Sequence, residues 1–183
     1  MSADRLGTIL DAAYRCFARH GASRTTMDDI AAEAGLSRTA LYQYVRNKDD
    51  VLERLCRRLF DDALTRARAA AHTGDDLVVR LEGVLGTKLE LVLEILADSP
   101  HHAAELLGAG ARIAAEVGAA YQVRLRDLVT EVLGGSSEHA EVLLAFTRGL
   151  ETGVTDPAAA RARLRQGIHI FTAGLQAQKG GNG

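Results

Sequence analysis

Residues 25–50 read TTMDDIAAEAGLSRTALYQYVRNKDD, and their punctuation decides the fold. Thr26 with Asp29 three positions on has the form of a capping box, in which each side chain takes a backbone N–H that a helix start leaves unpaired. A short helix over about Met27 to Ala34 follows, and Gly35 stops it, because glycine enters the left-handed region without steric cost. Ser37 caps a second short helix over about Arg38 to Tyr44. Asn47, with Asp50 at the third position, caps a further helix that can run on to Ala71. Upstream, Ile9, Ala13, Cys16 and Phe17 share one face of a helix over about Arg5 to His20, closed by Gly21. Two short helices joined through Gly35-Leu36-Ser37 have the layout of a helix-turn-helix, whose second helix enters the DNA major groove.

The side chains suit that role. Arg38 can pair in bidentate fashion with guanine, and Gln43 with adenine. Ser37, Thr39, Tyr42 and Tyr44 carry hydroxyls that can donate to phosphate oxygens, although the two tyrosines also read as packing residues. Lys48 falls in the first turn of its helix, where the helix dipole disfavours a cation. A phosphate docked on that N-terminus would reverse the conflict; a solvated surface lysine is the plain alternative. Thr26 can hold a second phosphate in the same way.

Composition agrees with an all-α chain. The 183 residues include 31 Ala and 25 Leu against 18 Val plus Ile, with 4% aromatics and 2 Pro. Ala and Leu favour helices and β-branched residues favour strands, which disfavours a sandwich, a barrel or a sheet-based enzyme. Lys and Arg number 22 against 24 Asp and Glu, a net charge of −2. That excludes a wholesale polyanion binder but not a local basic face. Residues 1–60 hold 10 basic and 8 acidic side chains, so the slight positive excess is at the N-terminal end.

The rest of the chain predicts further helices, about nine in all. Leu77, Leu81, Leu85, Leu89, Val92 and Leu96 form one stripe. Ser99-Pro100 reads as a cap with Pro at the first helical position, opening a helix that ends at Gly108. Ile113, Val117, Tyr121, Leu125, Leu128 and Val132 form another stripe, closed by Gly134-Gly135. A helix over about Glu138 to Gly153 follows. Asp156-Pro157 opens the last one, which carries Leu164, Ile168, Phe171 and Leu175. The glycine-rich tail at 180–183 is expected to fray.

ILDAAYRCFARHG at residues 9–21 followed by TTMDDIAAEAGLSRTALYQYVRNKDDVL resembles the N-terminal domain of tetracycline-repressor-like (TetR family) transcription regulators. The likeness spans about residues 5–55. It rests on the Phe17 to Gly21 helix end, the Thr-rich cap, Ala31-Ala32 to Gly35, Leu41-Tyr42 and the Asn47-Lys48-acidic run. Val45 stands where many members carry Phe, and Cys16 where a larger aliphatic residue is common.

The resemblance implies a homodimeric DNA-binding protein, usually a repressor released by a small ligand. It places Thr26 and Lys48 at phosphate-contacting positions. Tyr42 and Tyr44 fall at recognition-helix positions that meet the backbone. Ser37, Arg38, Thr39 and Gln43 fall among the base-reading residues and their neighbours. It also implies a DNA-binding domain over 1–47 and a ligand-binding and dimerisation domain over 48–183. Small residues at Ala145, Gly149 and Gly153 lie four apart beside an apolar line through Val142, Phe146, Leu150 and Val154. With the Leu164, Ile168, Phe171 and Leu175 seam, two helices per subunit can pack as a four-helix dimer interface; equally, periodicity allows those stripes to face the subunit's own core. Arg80, His101, His102, Arg112, Tyr121 and Arg124 are the polar candidates for lining an effector pocket.

Other functions find less support. There is no G-x-S-x-G, P-loop, G-x-G-x-x-G or H-E-x-x-H, so an enzyme is not expected, nor a cofactor. Asp98 with His102, and His101 with Glu105, have spacings a metal could use, and Cys16 and Cys56 could sense oxidants if they were exposed thiolates; no bound metal is expected, and a redox- or metal-responsive regulator stands as an alternative reading. A helical dimer acting by protein contact without specific DNA binding is another. No signal peptide or membrane-length apolar run is evident, so a cytoplasmic location and no membrane partner are expected.

Overall fold

The computed structural model describes residues 2–180. Among them nine helices follow one another and no strand occurs: α1 (Ser2–His20), α2 (Met27–Glu33), α3 (Arg38–Leu41), α4 (Lys48–Ala71), α5 (Leu77–Asp98), α6 (Ala103–Ile113), α7 (Ala115–Val132), α8 (Ser137–Glu151) and α9 (Pro157–Gly180). None is long and apolar enough to cross a membrane. The all-α expectation is met. Two compact units divide the chain, residues 1–60 with 94–120, and residues 61–93 with 121–183, so α4, α5 and α7 each supply residues to both.

The first unit is built on α1. Ile9, Phe17, Ile30, Leu41 and Leu55 are buried, and Ile95, Ala103 and Leu106 complete the same cluster. Each such large apolar side chain contributes roughly 1.5–3 kcal/mol by leaving water. The end of α1 leaves carbonyls without helical partners. Thr25 Oγ1 donates to Gly21 O at 2.7 Å and Cys16 O at 3.2 Å, and Ser99 Oγ donates to Ala18 O at 3.0 Å. Gly21 turns the chain at φ +81°, and a Cβ there would also meet the Glu105 carboxylate, so this turn requires glycine twice over.

The second unit has Leu64, Leu81, Leu85, Leu89, Leu125, Leu143 and Ile168 at its centre, all fully buried. A Cβ on Gly83 would lie 2.6 Å from that of Ala70, so α5 approaches α4 closely only because position 83 is bare. The Phe146 ring of α8 lies over Gly167 of α9. Lys88 and Glu151 form a buried ion pair between α5 and α8. Arg161 grips Glu90 through two bonds of 2.6 and 2.7 Å.

Several element boundaries differ from expectation. Ser99 does not cap a helix: its hydroxyl donates to Ala18 O, and a turn over residues 100–102 separates it from the next helix. The next helix starts instead after His102, with no side-chain cap. Gly108 does not end α6, which runs on to Ile113. Ile113 therefore closes α6, and the break at Ala114 separates it from the rest of its stripe in α7. Residue 153 lies beyond α8, where Gly153 at φ +65° stops the helix instead of lining it. The third helix is one turn long, with Tyr42 as its C-cap. The frayed tail expected at 180–183 lies almost wholly outside the described residues.

Candidate nucleic-acid interface

The helix-turn-helix is assembled from local hydrogen bonds. Thr26 caps α2: its hydroxyl accepts the Asp29 N–H at 3.2 Å while Asp29 takes the Thr26 N–H at 2.8 Å. Ala34 caps the far end, and Gly35 follows at φ +66°. Ser37 Oγ accepts the Ala40 N–H at 3.2 Å and so starts α3. Asn47 Oδ1 accepts the Asp50 N–H at 2.8 Å and starts α4. Asp50 does not reach back to Asn47. Its carboxylate turns to the Arg46 N–H at 2.8 Å and to the Arg46 and Arg54 guanidiniums. Leu41 and Val45 anchor the segment in the core.

That anchoring leaves one face in solvent. Ser37, Arg38, Thr39, Tyr42 and Gln43 are exposed, as is Thr26 at the start of α2, and Tyr44 is half-buried. Tyr44 packs against the apolar cluster, so of the two tyrosines Tyr42 is the freer. Arg38 is not free. Its Nη1 meets both oxygens of Asp28, at 2.7 and 2.9 Å, and its guanidinium lies 5.6 Å from the centre of the Tyr42 ring. The Asp28 charge, and then Tyr42, raise its pKa further. Asp28 is not evident from sequence, where an acid in a first helical turn is already explained by the helix dipole.

Lys48 resolves its conflict with the dipole through protein groups. Its ammonium donates to the carbonyls of Ala22, Ser23 and Thr25 at 2.7, 3.1 and 3.0 Å. All three donors are thus engaged, and what remains for a phosphate is charge. The same loop is held from α6, where Glu105 accepts the Ser23 N–H at 2.6 Å. Bonds from Ser23 hold the Glu105 carboxyl below the usual carboxylate range. The sequence offers Glu105 only as a metal candidate; nothing short of the fold brings it to the loop, 82 positions away. A groove of about 310 Å³ runs beside this clamp, lined by Lys48, Asp49, Leu52, Glu105 and Arg112 among others.

The pocket candidates are divided between the two units. His101, His102 and Arg112 belong to the first, and Arg80, Tyr121 and Arg124 to the second. His101 and Arg112 are exposed, and His102 leans on Glu105 at 3.9 Å. Arg124 is exposed and pairs with Asp61 at 3.4 Å. Tyr121 is buried, and burial followed by the Glu151 charge pushes its phenol up. Arg80 is half-buried, with its Nε shielded from water and lacking a hydrogen-bond partner.

Of the interface candidates, Leu164 and Ile168 are buried in the unit's own core. They leave almost no surface for a partner, in keeping with the alternative that this part of the seam faces the subunit's own core. Leu150, Phe171 and Leu175 are half-buried, and Gly149 is exposed. The apolar side chains that do reach solvent here are Phe146 at 37%, Val142 at 56% and Ile170 at 65%. Val142 belongs to the α8 line that periodicity picks out; Ile170 escapes it, because it lies off the Leu164 seam.

No group of three or more His, Cys, Asp or Glu able to hold a metal occurs among the described residues. Asp98 accepts the Tyr14 hydroxyl at 2.7 Å instead. Burial raises both thiols, that of Cys56 to about 11, the opposite of the depressed pKa of a reactive cysteine.

The sequence profile described as "Bacterial regulatory proteins, tetR family" matches residues 9–55. The HTH-type transcriptional regulator TtgR of Pseudomonas putida is 36% identical over 88 residues, 47% of this chain and 42% of TtgR. The HTH-type transcriptional repressor KstR2 of Rhodococcus jostii is 31% identical over 84 residues, 46% of this chain and 41% of that protein. The chain thus spans under half the length of these relatives. The fatty acid degradation regulator FadR from Bacillus halodurans shares the fold at a TM-score of 0.70 and 21% identity, covering 90% of this chain and 94% of that one. A TetR-family transcriptional regulator from Streptomyces coelicolor does so at 0.70 and 19%, covering 92% and 94%. Residues 9–55, folded as a capped helix-turn-helix whose α3 presents polar side chains to solvent, thus match the N-terminal segment of the tetR family of bacterial regulatory proteins, and the whole chain shares the fold of such regulators.

Proposed function

We propose that this chain is a ligand-responsive transcriptional repressor that binds a near-palindromic operator as a homodimer. The observation that carries the reading is the exposed row Arg38, Thr39, Tyr42 and Gln43, which runs from α3 into the turn after it, with Leu41 and Val45 anchored in the core behind it. Arg38 and Gln43 read base edges, and Ser37, Thr39, Tyr42 and Tyr44 meet the backbone. Thr26 and the Lys48 charge address phosphates. Residues 1–47, with Lys48 at the boundary, do this work, and residues 48–183 carry effector and partner contacts. A relative named as a repressor, KstR2, supports the sign of the regulation.

Dimerisation through α8 and α9 is supported by Val142, Phe146 and Ile170, which leave apolar surface in solvent. A twofold pair then sets two recognition helices about 34–36 Å apart, or a multiple of it, along the DNA. A small molecule bound within residues 48–183 releases the operator, provided it binds the two conformations with different affinity. The protein acts in the cytoplasm.

The test is selection of genomic fragments by the full-length protein. Enrichment of one near-palindromic motif is the expected result. No enrichment over random fragments at moderate salt, with the protein dimeric and folded, would overturn sequence-specific binding. Arg38→Ala is expected to cost about 1–3 kcal/mol and relax the preference at one position per half-site, whereas Lys48→Ala weakens binding to all sequences alike.

A further inference from the structure

The Asp28–Arg38 pair is poorly explained by folding. Both side chains are 61% exposed, a setting in which an ion pair adds little stability. Nor does α2 need Asp28 for its start, since Asp29 and Thr26 already complete the capping box. An acid here carries a cost for a DNA-binding surface, because it repels phosphates whatever the sequence.

Its geometry suggests what offsets that cost. Both Asp28 oxygens converge on a single nitrogen of Arg38, Nη1. The carboxylate therefore does not consume the Nε and Nη2 edge, and that edge of the fork can span guanine O6 and N7. Tyr42 lies against the guanidinium at 5.6 Å. A long side chain that would otherwise sample many rotamers is held between a carboxylate and a ring, so less freedom is lost when a base is met.

We propose that Asp28 is a specificity-determining residue: it holds Arg38 in the orientation that meets guanine and penalises any use of Arg38 on the phosphate backbone. The proposal rests on the base-reading role of Arg38 given above. When Arg38 pairs with guanine, its bonds to Asp28 are kept. When Arg38 swings to a phosphate, Asp28 is left bare against a polyanion. That is a repulsive element directed at the wrong complex.

The experiment uses the full-length chain as wild type, Asp28→Asn, Arg38→Ala and the double variant. Each is taken through selection from a pool of random-sequence duplexes. Each is then titrated at several salt concentrations against the wild-type consensus duplex, the same duplex with single base-pair changes, and a scrambled one. Asp28→Asn is expected to bind the scrambled duplex more tightly, with a salt slope steeper by about one counterion. It is also expected to lose about tenfold in preference for guanine at one position. In the Arg38→Ala background the same substitution leaves base preference untouched. If Asp28→Asn tightens every duplex equally and keeps the base preference, or changes preference equally with Arg38 absent, Asp28 is only a surface charge and the proposal is overturned. If Arg38→Ala changes preference at no position, the base-reading role itself fails and the proposal falls with it. Preference lost in Arg38→Ala but kept in Asp28→Asn overturns this proposal alone.

Discussion

Lys48, half-buried, and Lys88, buried, one in each unit, are answered in opposite ways. Lys48 lies against three backbone carbonyls of one loop. Lys88 faces one carboxylate, that of Glu151, with the two side chains 5% and 14% exposed. Both kinds of contact recur, and each unit holds both, since Arg15 pairs with Glu33 in the first and Ser136 caps α8 in the second. In the first unit Thr25, Ser37, Asn47, Ser99 and Glu105 also close on backbone groups. In the second, Arg161 with Glu90 and Arg124 with Asp61 join helix to helix by side chains alone. Backbone-directed bonds fix loops and helix ends, which a recognition surface needs. Charge pairs between helices fix neighbours and leave no neutral alternative if one partner is lost.

The sharpest test of that contrast removes each lysine in turn. Lys88→Met strands the Glu151 carboxylate away from water and is expected to cost about 3–5 kcal/mol in chemical denaturation. Lys88→Met with Glu151→Leu should recover most of it; no recovery would mean that packing, and not the unpaired charge, sets the cost. Lys48→Met leaves only neutral carbonyls, which water can reach, and is expected to cost about 1–3 kcal/mol. Amide exchange should rise in residues 22–25 and not in α5 or α8. Equal losses for the two lysines would break the comparison.

Thr26→Ala removes one helix cap and is expected to cost about 1 kcal/mol, with Thr26→Ser close to neutral, as thermal unfolding would show. The smallest effect is a pH dependence. Two bonds from Thr26 lower the Asp29 pKa, and the Arg15 guanidinium lowers that of Glu33. For Asp50, burial raises the pKa, but the Arg46 N–H and the Arg54 and Arg46 guanidiniums outweigh it. With Glu105, these are four depressed carboxyls in the first unit, against Glu90 in the second. A depressed carboxyl contributes stability that is whole above its unfolded pKa, about 4, and is lost as pH falls through the folded value. Amide exchange on acidification should therefore loosen α2 and the start of α4 before α8. The reverse order would show that the capping carboxyls do not govern acid stability.

What is legible in the sequence follows the same division. Thr26, Ser37, Asn47 and Asp156 act on backbone within three residues, so their spacing exposes them. Ser99 has the same look and a different role, because its true partner, Ala18, lies 81 positions upstream. Gly108 resembles a stop, yet it has no left-handed backbone and the helix continues. The helix-turn-helix and its exposed polar row can be read because both depend on short-range chemistry. The partners Asp28 for Arg38, Glu105 for Ser23 and Glu151 for Lys88 cannot, since charge carries no address. Periodicity places Leu164 and Ile168 on one face without saying what the face meets, and they meet their own core.

The apolar cluster around Phe17 has a consequence for synthesis. It includes Ile95, Ala103 and Leu106, and the last turn of α1 is closed by Ser99. The ribosome makes the recognition segment first, but the residues that finish its support are complete only some forty-odd positions after residue 60. At roughly 5–20 residues per second that is a wait of about 2–9 s. During it Phe17 and Leu55 lack part of their cover, and a nascent chain stalled before residue 95 would present a hydrophobic surface to chaperones. A chain released past residue 106 would have that cover available.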